Sequence, residues 1–537
     1  MLSYLICSKK SKYYWLSVLW VVVTVFCSAL DFAQAYLMGQ IANAILGDGV
    51  WPVWVLLLVG VGYLLATLLF NWLFVCLTHL LLAKIRTGLS EDIMDSIVSK
   101  DIKEIQLSYG SSATISLFTD RLEKLMDNYF YILMVLFSMI VTFAFSLTYL
   151  ITLGPWYLVP LAALVLANLL VFFLTRGKTK SNLEEYIEQN KKYVGVLDAF
   201  SSFLSTAKMF SFSGRLERKA LETGKGFNAA KTKANSFSEI IKKINAFLAV
   251  CSVFSVAFIA LLIRDVSPLT AGQLVSLIQI WGSICTPFFS ISWFIGALMG
   301  TSGIRKETKE LLQPAKQKEH IRTLNKLEAK DVSFSYDEGG VRVLDCISFA
   351  IEQKGIYLIR GASGTGKSTL CSLILKMLDP SSGNIYVNGC TKLQDISEES
   401  YFRCLKALPQ TPAIYPGTLK DNIVLGGDYN EERYNNVCKM MGFEKSLLQR
   451  ERNKEDEIDY KGGNLSLGEL RRIGFARILY ASCEWIVLDE PFASLDPGNI
   501  KTLTAAILSL GETRRVILVS HEIPSEIESI ATTIAFL

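Results

Sequence analysis

Gly361-Ala-Ser-Gly-Thr-Gly-Lys-Ser-Thr369 is the stretch that decides how the C-terminal half of this 537-residue chain folds. Glycines at 361, 364 and 366 let the backbone bend into a nest of N–H groups. The helix that follows, over roughly Lys367 to Met377, brings its positive end to the same place. That combination cradles polyphosphate. Lys367 would hold the β and γ phosphates and Ser368 would ligate Mg²⁺, with Ala362, Ser363, Thr365 and Thr369 completing the wrap. Ile356-Tyr-Leu-Ile-Arg360 directly upstream reads as the buried strand that such a loop leaves from, so strand, loop and helix stand in the required order. ATP and Mg²⁺ are the expected ligands.

Composition places the rest of the chain in lipid. Hydrophobic residues make up 51% of it and the mean hydropathy is +0.34, too apolar for a soluble two-domain enzyme. A net charge of +4 is small for this length and gives no argument for nucleic acid as a partner. The eleven cysteines are scattered, without a C-x-x-C pair, which fits a reducing cytosol and neither a disulfide framework nor a zinc site.

A bilayer span needs about 20 apolar residues. Six stretches meet that length: Tyr14 to Leu37, Val53 to Leu82, Tyr129 to Leu150, Trp156 to Leu174, Ile244 to Ile263 and Leu274 to Met299. The first is too long for a signal-peptide core, so it is expected to stay as a span. Lys and Arg cluster at 9, 10 and 12, at 84, 86, 100, 103, 121 and 124, and fourteen times between Arg176 and Lys243. The remaining connections hold a single Arg, so both termini and the two long connections are expected in the cytosol of a multi-pass cell-membrane protein. Tyr13, Tyr14 and Trp15 at one side and Trp51, Trp54 and Trp156 at the other read as interfacial aromatic belts.

The long connections, Ala83 to Asn128 and Arg176 to Lys243, are rich in Glu, Lys and Leu with almost no Pro. They read as helices that carry the spans into the cytosol, turning near Ser108-Tyr-Gly-Ser-Ser112 and Ser211-Phe-Ser-Gly214, with flanking segments as candidate coupling helices. An ordinary solvated hairpin is the alternative. Inside the spans, Asp31, Gln34, Asn71, His79, Asn168 and Gln279 are candidates for a translocation pathway, Asp31 foremost. Hydrogen bonding between helices is the other reading of each Asn and Gln, and His79 lies close to the cytosolic interface.

From about Leu324 the pattern changes to short apolar strands alternating with helices, an α/β organisation. The expected domains are a transmembrane domain over 1–310, a linker over 311–323 and a nucleotide-binding domain over 324–537. A second set of motifs follows in order: Tyr336 in Phe334-Ser-Tyr336, Gln410 in Leu408-Pro-Gln410, Pro416-Gly-Thr-Leu-Lys-Asp-Asn-Ile423, Ile486-Val-Leu-Asp-Glu490, Ser494-Leu-Asp496, and His521 after Val516 to Val519. With six spans in front of them, they make the chain resemble a half-transporter of the ATP-binding cassette exporter family over nearly its whole length.

That resemblance implies roles. Tyr336 would stack on adenine, Gln410 would touch Mg²⁺ and the attacking water, and Asp489 would hold Mg²⁺ through water. Glu490 would act as general base or position the water, and His521 would contact the γ phosphate. One motif departs from the family: its usual Leu-Ser-Gly-Gly-Gln stands here as Leu465-Ser-Leu-Gly-Glu469. In the family this segment caps ATP held by the opposite subunit. Ser466 and Gly468 remain for that role, whereas Leu467 adds a Cβ and Glu469 sets a carboxylate near polyphosphate.

The implied activity is ATP-driven export of an amphipathic or hydrophobic peptide, drug or lipid by two subunits. A homodimer with two altered sites and a heterodimer with one strong site both remain open. A lipid flippase, a subunit of a thiol-compound exporter, and a regulatory membrane ATPase without vectorial transport are the alternatives. Lys, Asn, Ile and Tyr richness suggests a bacterial source.

Overall fold

A computed structural model describes residues 14–47, 49–108, 111–265, 268–314, 317–337, 340–362, 364–443, 458, 465–493 and 497–536. The chain forms two compact units, Met1–Val98 with Ser112–Gln313, and Ser99–Ser111 with Pro314–Leu537.

The first unit is helical. Its elements are α1 (Tyr14–Ile45) and α2 (Val53–Ser99), then, past a short helix α3 (Ile102–Ser108), α4 (Thr114–Leu153), α5 (Leu158–Met209), α6 (Ser213–Leu262), α7 (Ala271–Gly300) and α8 (Ser302–Leu311). Among the described residues, α1, α2, α4, α5 and α6 are long and apolar enough to cross a membrane. The expected sixth span lies on α7, a 30-residue helix without a charged residue and with Pro287 inside it. Side chains such as Leu57, Leu68, Phe173 and Phe254 are more than half exposed, as surfaces bathed in lipid are.

Several helices run well past bilayer thickness, as Glu, Lys and Leu without Pro dictate. At 1.5 Å per residue, the 50 residues of α6 span about 75 Å. α5 and α6 form a hairpin that turns at Phe210 to Phe212, with Ser211 in the left-handed region (φ 54°). The first cytosolic connection is less regular: α2 ends at Ser99, and α4 contains two stretches of wider winding, Leu117–Arg121 and Met126–Phe130.

Where lipid supplies no hydrophobic drive between helices, small residues let backbones approach. α1 and α7 meet this way. A Cβ on Gly39 would lie 2.2 Å from Ser276 Oγ and 2.6 Å from the Gly272 carbonyl oxygen, Gly272 N donates to Asn43 Oδ1 (2.7 Å), and Ser276 Oγ donates to the Ala35 carbonyl (2.8 Å). Trp281 Nε1 donates to Ser252 Oγ (2.9 Å), which ties α7 to α6. Of the expected pathway residues, Asn168 is buried and donates to its own helix at the Leu164 carbonyl (2.9 Å), Gln34 accepts from Tyr63, Gln279 is half-buried, and Asp31, Asn71 and His79 are exposed.

The second unit holds two sheets. β1 (Leu327–Phe334) pairs antiparallel with β2 (Leu344–Ile351) and β4 (Ser382–Val387), and β4 with the two-residue β5 (Thr391–Lys392). β6 (Leu405–Leu408), β7 (Trp485–Asp489), β8 (Arg515–Val519), β3 (Gly355–Arg360) and β9 (Thr532–Phe536) form a parallel sheet in that spatial order. Its central strands are unbroken apolar runs because both faces are covered. Around them lie α9 (Lys367–Ile374), α10 (Glu398–Cys404), α11 (Leu419–Val424), α12 (Glu431–Met440), α13 (Leu467–Tyr480), α14 (Pro497–Thr513) and α15 (Ser525–Glu528).

The segment Ser99–Ser111 belongs to this second unit through polar contacts at the start of α3. Both carboxylate oxygens of Glu398 accept from Ile102 N (3.0 Å each), Lys103 pairs with Asp379, and Lys318 pairs with Asp101.

Gly39→Val is expected to destabilise the helical unit by about 1–3 kcal/mol, because the new side chain meets backbone that cannot give way. Gly62→Ala, where a Cβ meets nothing within 4 Å, should leave stability unchanged. Thermal unfolding of the detergent-solubilised protein checks this, and equal midpoints for the two variants would contradict the packing.

Candidate functional site

Three neighbouring strands deliver the site. β7 pairs with β8 and β8 with β3, in register, so that Asp489 lies opposite Val519 and Val519 opposite Ile359. The residues just beyond these ends are Glu490 after β7, Ser520 and His521 after β8, and the loop from Gly361 after β3. Ligands of parallel sheets bind at this edge.

The loop needs its glycines. Gly366 stands at φ 102° before α9, and a Cβ there would sit 2.8 Å from Leu344 Cδ2 and 2.9 Å from the Val343 carbonyl oxygen. Gly364 is also left-handed, at φ 83°. Lys367 is buried, and its Nζ donates to the Gly361 and Ala362 carbonyls (2.9 and 2.8 Å). The same Nζ lies 3.1 Å from His521 Nε2, which can accept only from the neutral ring. Thr365 Oγ1 donates to the Ala362 carbonyl (2.9 Å) and braces the turn, and Ser368 is exposed at the start of α9. Thr369 is buried, with its hydroxyl 3.1 Å from that of Tyr336. Ser363 lies outside the described residues, as do Ser494, Leu495 and Asp496.

Asp489 closes β7 with one carboxylate oxygen, Oδ1, buried and without a hydrogen-bond partner. Burial and then the neighbouring Glu490 charge push its carboxyl above the ordinary range, and Lys367 pulls the other way. An orphaned buried acceptor beside a second carboxylate is a donor set that a divalent cation would fit, and the exposed Ser368 hydroxyl would be a further oxygen ligand.

Glu490 lies past the strand, in the left-handed region (φ 48°), and its N–H donates to the Val519 carbonyl (2.8 Å). This turn aims its carboxylate at the next strand's end. Ser520 Oγ approaches Oε2 at 3.4 Å, and His521 Nε2 lies 3.7 Å from Oε1. Lys367, Asp489, Glu490 and His521 therefore converge at this edge of the sheet. Ser520 was not singled out by sequence, although its place between a buried strand and His521 is the signal that finds it.

Tyr336 is two-thirds exposed, edge-on to Phe334 (5.0 Å between centroids), which leaves a ring face available for a flat heterocycle. Gln410 is exposed two residues past β6, the strand that pairs with β7. Sequence reading missed the residue that fastens the loop after Gln410 to α13. Arg477 donates through Nε to the Asn422 carbonyl and through a terminal nitrogen to the Ala413 carbonyl (2.6 Å each). Asn422 in turn bonds both backbone groups of Tyr415 (2.9 and 2.7 Å).

The altered motif at 465–469 starts α13 as a capping box. Ser466 N and Ser466 Oγ both donate to Glu469 Oε2 (2.8 Å each), and Glu469 N donates to Ser466 Oγ (3.3 Å). The Glu469 carboxylate thus turns back onto its own helix start, where it is nearly buried, and engages the hydroxyl expected to meet phosphate. Leu467 points outward, 44% exposed, and Gly468 is half-buried in the first turn.

A family model described as ABC transporter transmembrane region matches residues 17–288, and one described as ABC transporter matches residues 344–493. A multidrug resistance-like ATP-binding protein, MdlB, of Buchnera aphidicola is 23% identical over 477 residues, covering 86% of this chain and 80% of that protein. A probable ABC transporter ATP-binding/permease protein of Haemophilus influenzae is 26% identical over 420 residues, covering 76% of this chain and 75% of that protein. A solved bacterial Atm1-family ABC exporter with ATP bound superposes at a TM-score of 0.83, covering 98% of this chain and 94% of the other, at 16% identity.

Glu469→Gln keeps a capping acceptor and removes the charge from the start of α13. We expect the apparent KM for ATP to fall about fivefold, the equivalent of about 1 kcal/mol. Steady-state ATPase assays over an ATP titration decide it, and an unchanged or higher KM would show that the carboxylate does not oppose phosphate.

Proposed function

We propose that this chain, which belongs to the ABC transporter family, exports an amphipathic or hydrophobic compound across a bacterial cell membrane as one half of a dimer. It is a multi-pass membrane protein whose ATP hydrolysis is coupled to transport. The observation that carries the catalytic part is the turn at Glu490, which sets a carboxylate beside His521, itself 3.1 Å from Lys367 Nζ, at the end of the parallel sheet.

In this reading Lys367 leaves its two loop carbonyls for the β and γ phosphates, and the N–H groups of Gly364 to Ser368 wrap the same anion. Tyr336 stacks on adenine. Glu490 Oε orients and deprotonates the attacking water, and His521 donates to the γ phosphate. Ser368, Asp489 and Gln410 would hold Mg²⁺, which when bound would neutralise phosphate charge. The names of the relatives, multidrug resistance-like protein and ABC exporter, support export and a drug-like amphipath as the substrate.

α3 supports coupling. It continues the chain of the membrane helix α2 yet is fastened within the ATPase unit by Glu398, Asp379 and Lys318. A homodimer is the simpler assembly. The self-capped start of α13 is the feature that favours a heterodimer, in which the partner supplies the better signature. ATP turnover by the chain purified alone, and co-purification of two differently tagged copies, distinguish the two.

Glu490→Gln should bind ATP as the wild type does and turn it over at least about a hundredfold more slowly, the lower end of what one general base contributes. Near wild-type hydrolysis would assign the water to another group. For export itself, ATP-dependent accumulation in inverted vesicles is expected, and ATPase activity without accumulation of any amphipath would favour a regulatory ATPase. Glu398→Ala should retain ATP binding and lower the amount of substrate moved per ATP hydrolysed; an unchanged ratio would remove α3 from the coupling path.

A further inference from the structure

Asp31 is the single carboxylate within the six apolar stretches, and no Lys or Arg accompanies it there. At 1.5 Å per residue it lies about 25 Å along α1 from Tyr14 and about 9 Å short of Leu37, within the span and in its half away from the N-terminus. Such a group costs several kcal/mol unless it faces water or a counter-charge. Among the described residues no cation forms an ion pair with it.

Its surroundings show where it faces. At 100° per residue, Trp20, Thr24, Ser28 and Ala35 lie within about 60° of Asp31 around α1. All four are buried, at 6%, 0%, 2% and 1% exposure. The opposite side carries the exposed Val22, Val25, Phe26 and Tyr36. Asp31 therefore sits on the packed side of its helix and is nonetheless exposed. Such a residue stands at an opening between helices.

The residues on either flank of Asp31 are polar and aromatic. On one flank, Gln34 accepts from Tyr63 of α2 (3.4 Å). On the other, the Ser28 and Thr142 hydroxyls are 2.9 Å apart, and Phe32 packs edge-on against Tyr149 of α4 (5.4 Å).

We propose that Asp31 is the charge-selecting group of the membrane-domain substrate site, and that the site takes cationic amphipaths. An ionised carboxylate in low dielectric attracts a cation far more strongly than in water, and ring faces such as those of Tyr63 and Tyr149 add attraction for a diffuse positive charge on an apolar body. The apolar remainder of the ligand replaces water along the helix seam. This inference rests on the export reading for its transport consequence and stands apart from it for binding.

Tetraphenylphosphonium and tetraphenylborate share a shape and differ in the sign of their charge. Equilibrium dialysis of the detergent-solubilised protein should show the cation bound at least about tenfold more tightly than the anion. Asp31→Asn should weaken the cation about tenfold, with little effect on the anion, and Asp31→Glu should restore it. In inverted vesicles the same substitution should raise KM for cation uptake with little change in kcat.

Equal binding of the two ions by the wild type, or cation binding by Asp31→Asn equal to the wild type's, overturns the proposal, and it does so even where vesicle accumulation stands. Asp31-dependent cation binding without accumulation supports the site and overturns export instead. The wild-type ion preference alone decides the matter if Asp31→Asn does not fold.

Discussion

The in-register pairing of β7, β8 and β3 is the constraint on which the catalytic half depends. Ile486 to Leu488 and Val516 to Val519 are fully or almost fully buried on both faces, and Leu518 sits between Leu488 and Leu358. A slip of one residue would exchange the two faces of a strand throughout its length. The apolar core therefore sets the level at which all three strands end, and Glu490, Ser520 and the loop from Gly361 begin at that level. The left-handed turn at Glu490 costs about 1–2 kcal/mol for a residue with a Cβ. The Glu490 N–H to Val519 carbonyl bond helps to hold it there. Catalytic geometry here follows from core packing, with strain concentrated at the one residue that must leave the strand.

Much of this is legible in sequence because the signals are local. The strand before Gly361, the strand ending at Asp489 and the strand before His521 are short apolar runs, and each begins one residue earlier than expected, while the second ends at Asp489 and leaves Glu490, expected inside it, in the turn. The six apolar stretches likewise lie within α1, α2, α4, α5, α6 and α7, apart from short flanks at Trp156 and Ile263. What escapes is non-local. The antiparallel sheet joins Leu327 to Val387 and Ile351, partners that no periodicity identifies. The polar fastening of α3 joins Ile102 to Glu398, and Arg477 reaches Ala413. Each depends on two distant polar groups that look solvent-bound when read alone.

Glu469 shows how a local reading can have the right residue and an incomplete role. A carboxylate three residues after Ser466 was expected to stand near polyphosphate, and the structure finds it folded onto the Ser466 N–H and hydroxyl. Both statements describe one competition. A capping interaction of this kind is worth about 0.5–2 kcal/mol, whereas a phosphate at a helix start gains several charge-assisted hydrogen bonds. If Ser466 meets phosphate, the carboxylate would weaken that capture by a modest factor without abolishing it. An altered signature of this chemistry would tune a site, which is compatible with Glu490 and His521 being intact in the same unit.

The membrane half obeys the same logic with different materials. α1 is fixed in rotation at two levels, by Trp20 Nε1 donating to Thr78 Oγ1 (2.9 Å) and by the close approach of Gly39 to Gly272. Asp31 lies between those two fastenings and takes no part in either. Rotating α1 by half a turn would send the carboxylate toward lipid and bring Val22, Val25 and Phe26 into a seam now lined by hydroxyls. Both exchanges are unfavourable, and neither involves Asp31 holding itself in place. A small-residue contact and a buried indole thus present a charge at a gap between helices, as buried strands present Glu490 at the edge of a sheet. In both units the apolar register is set first, and the reactive or selective group is the one that the packing leaves over.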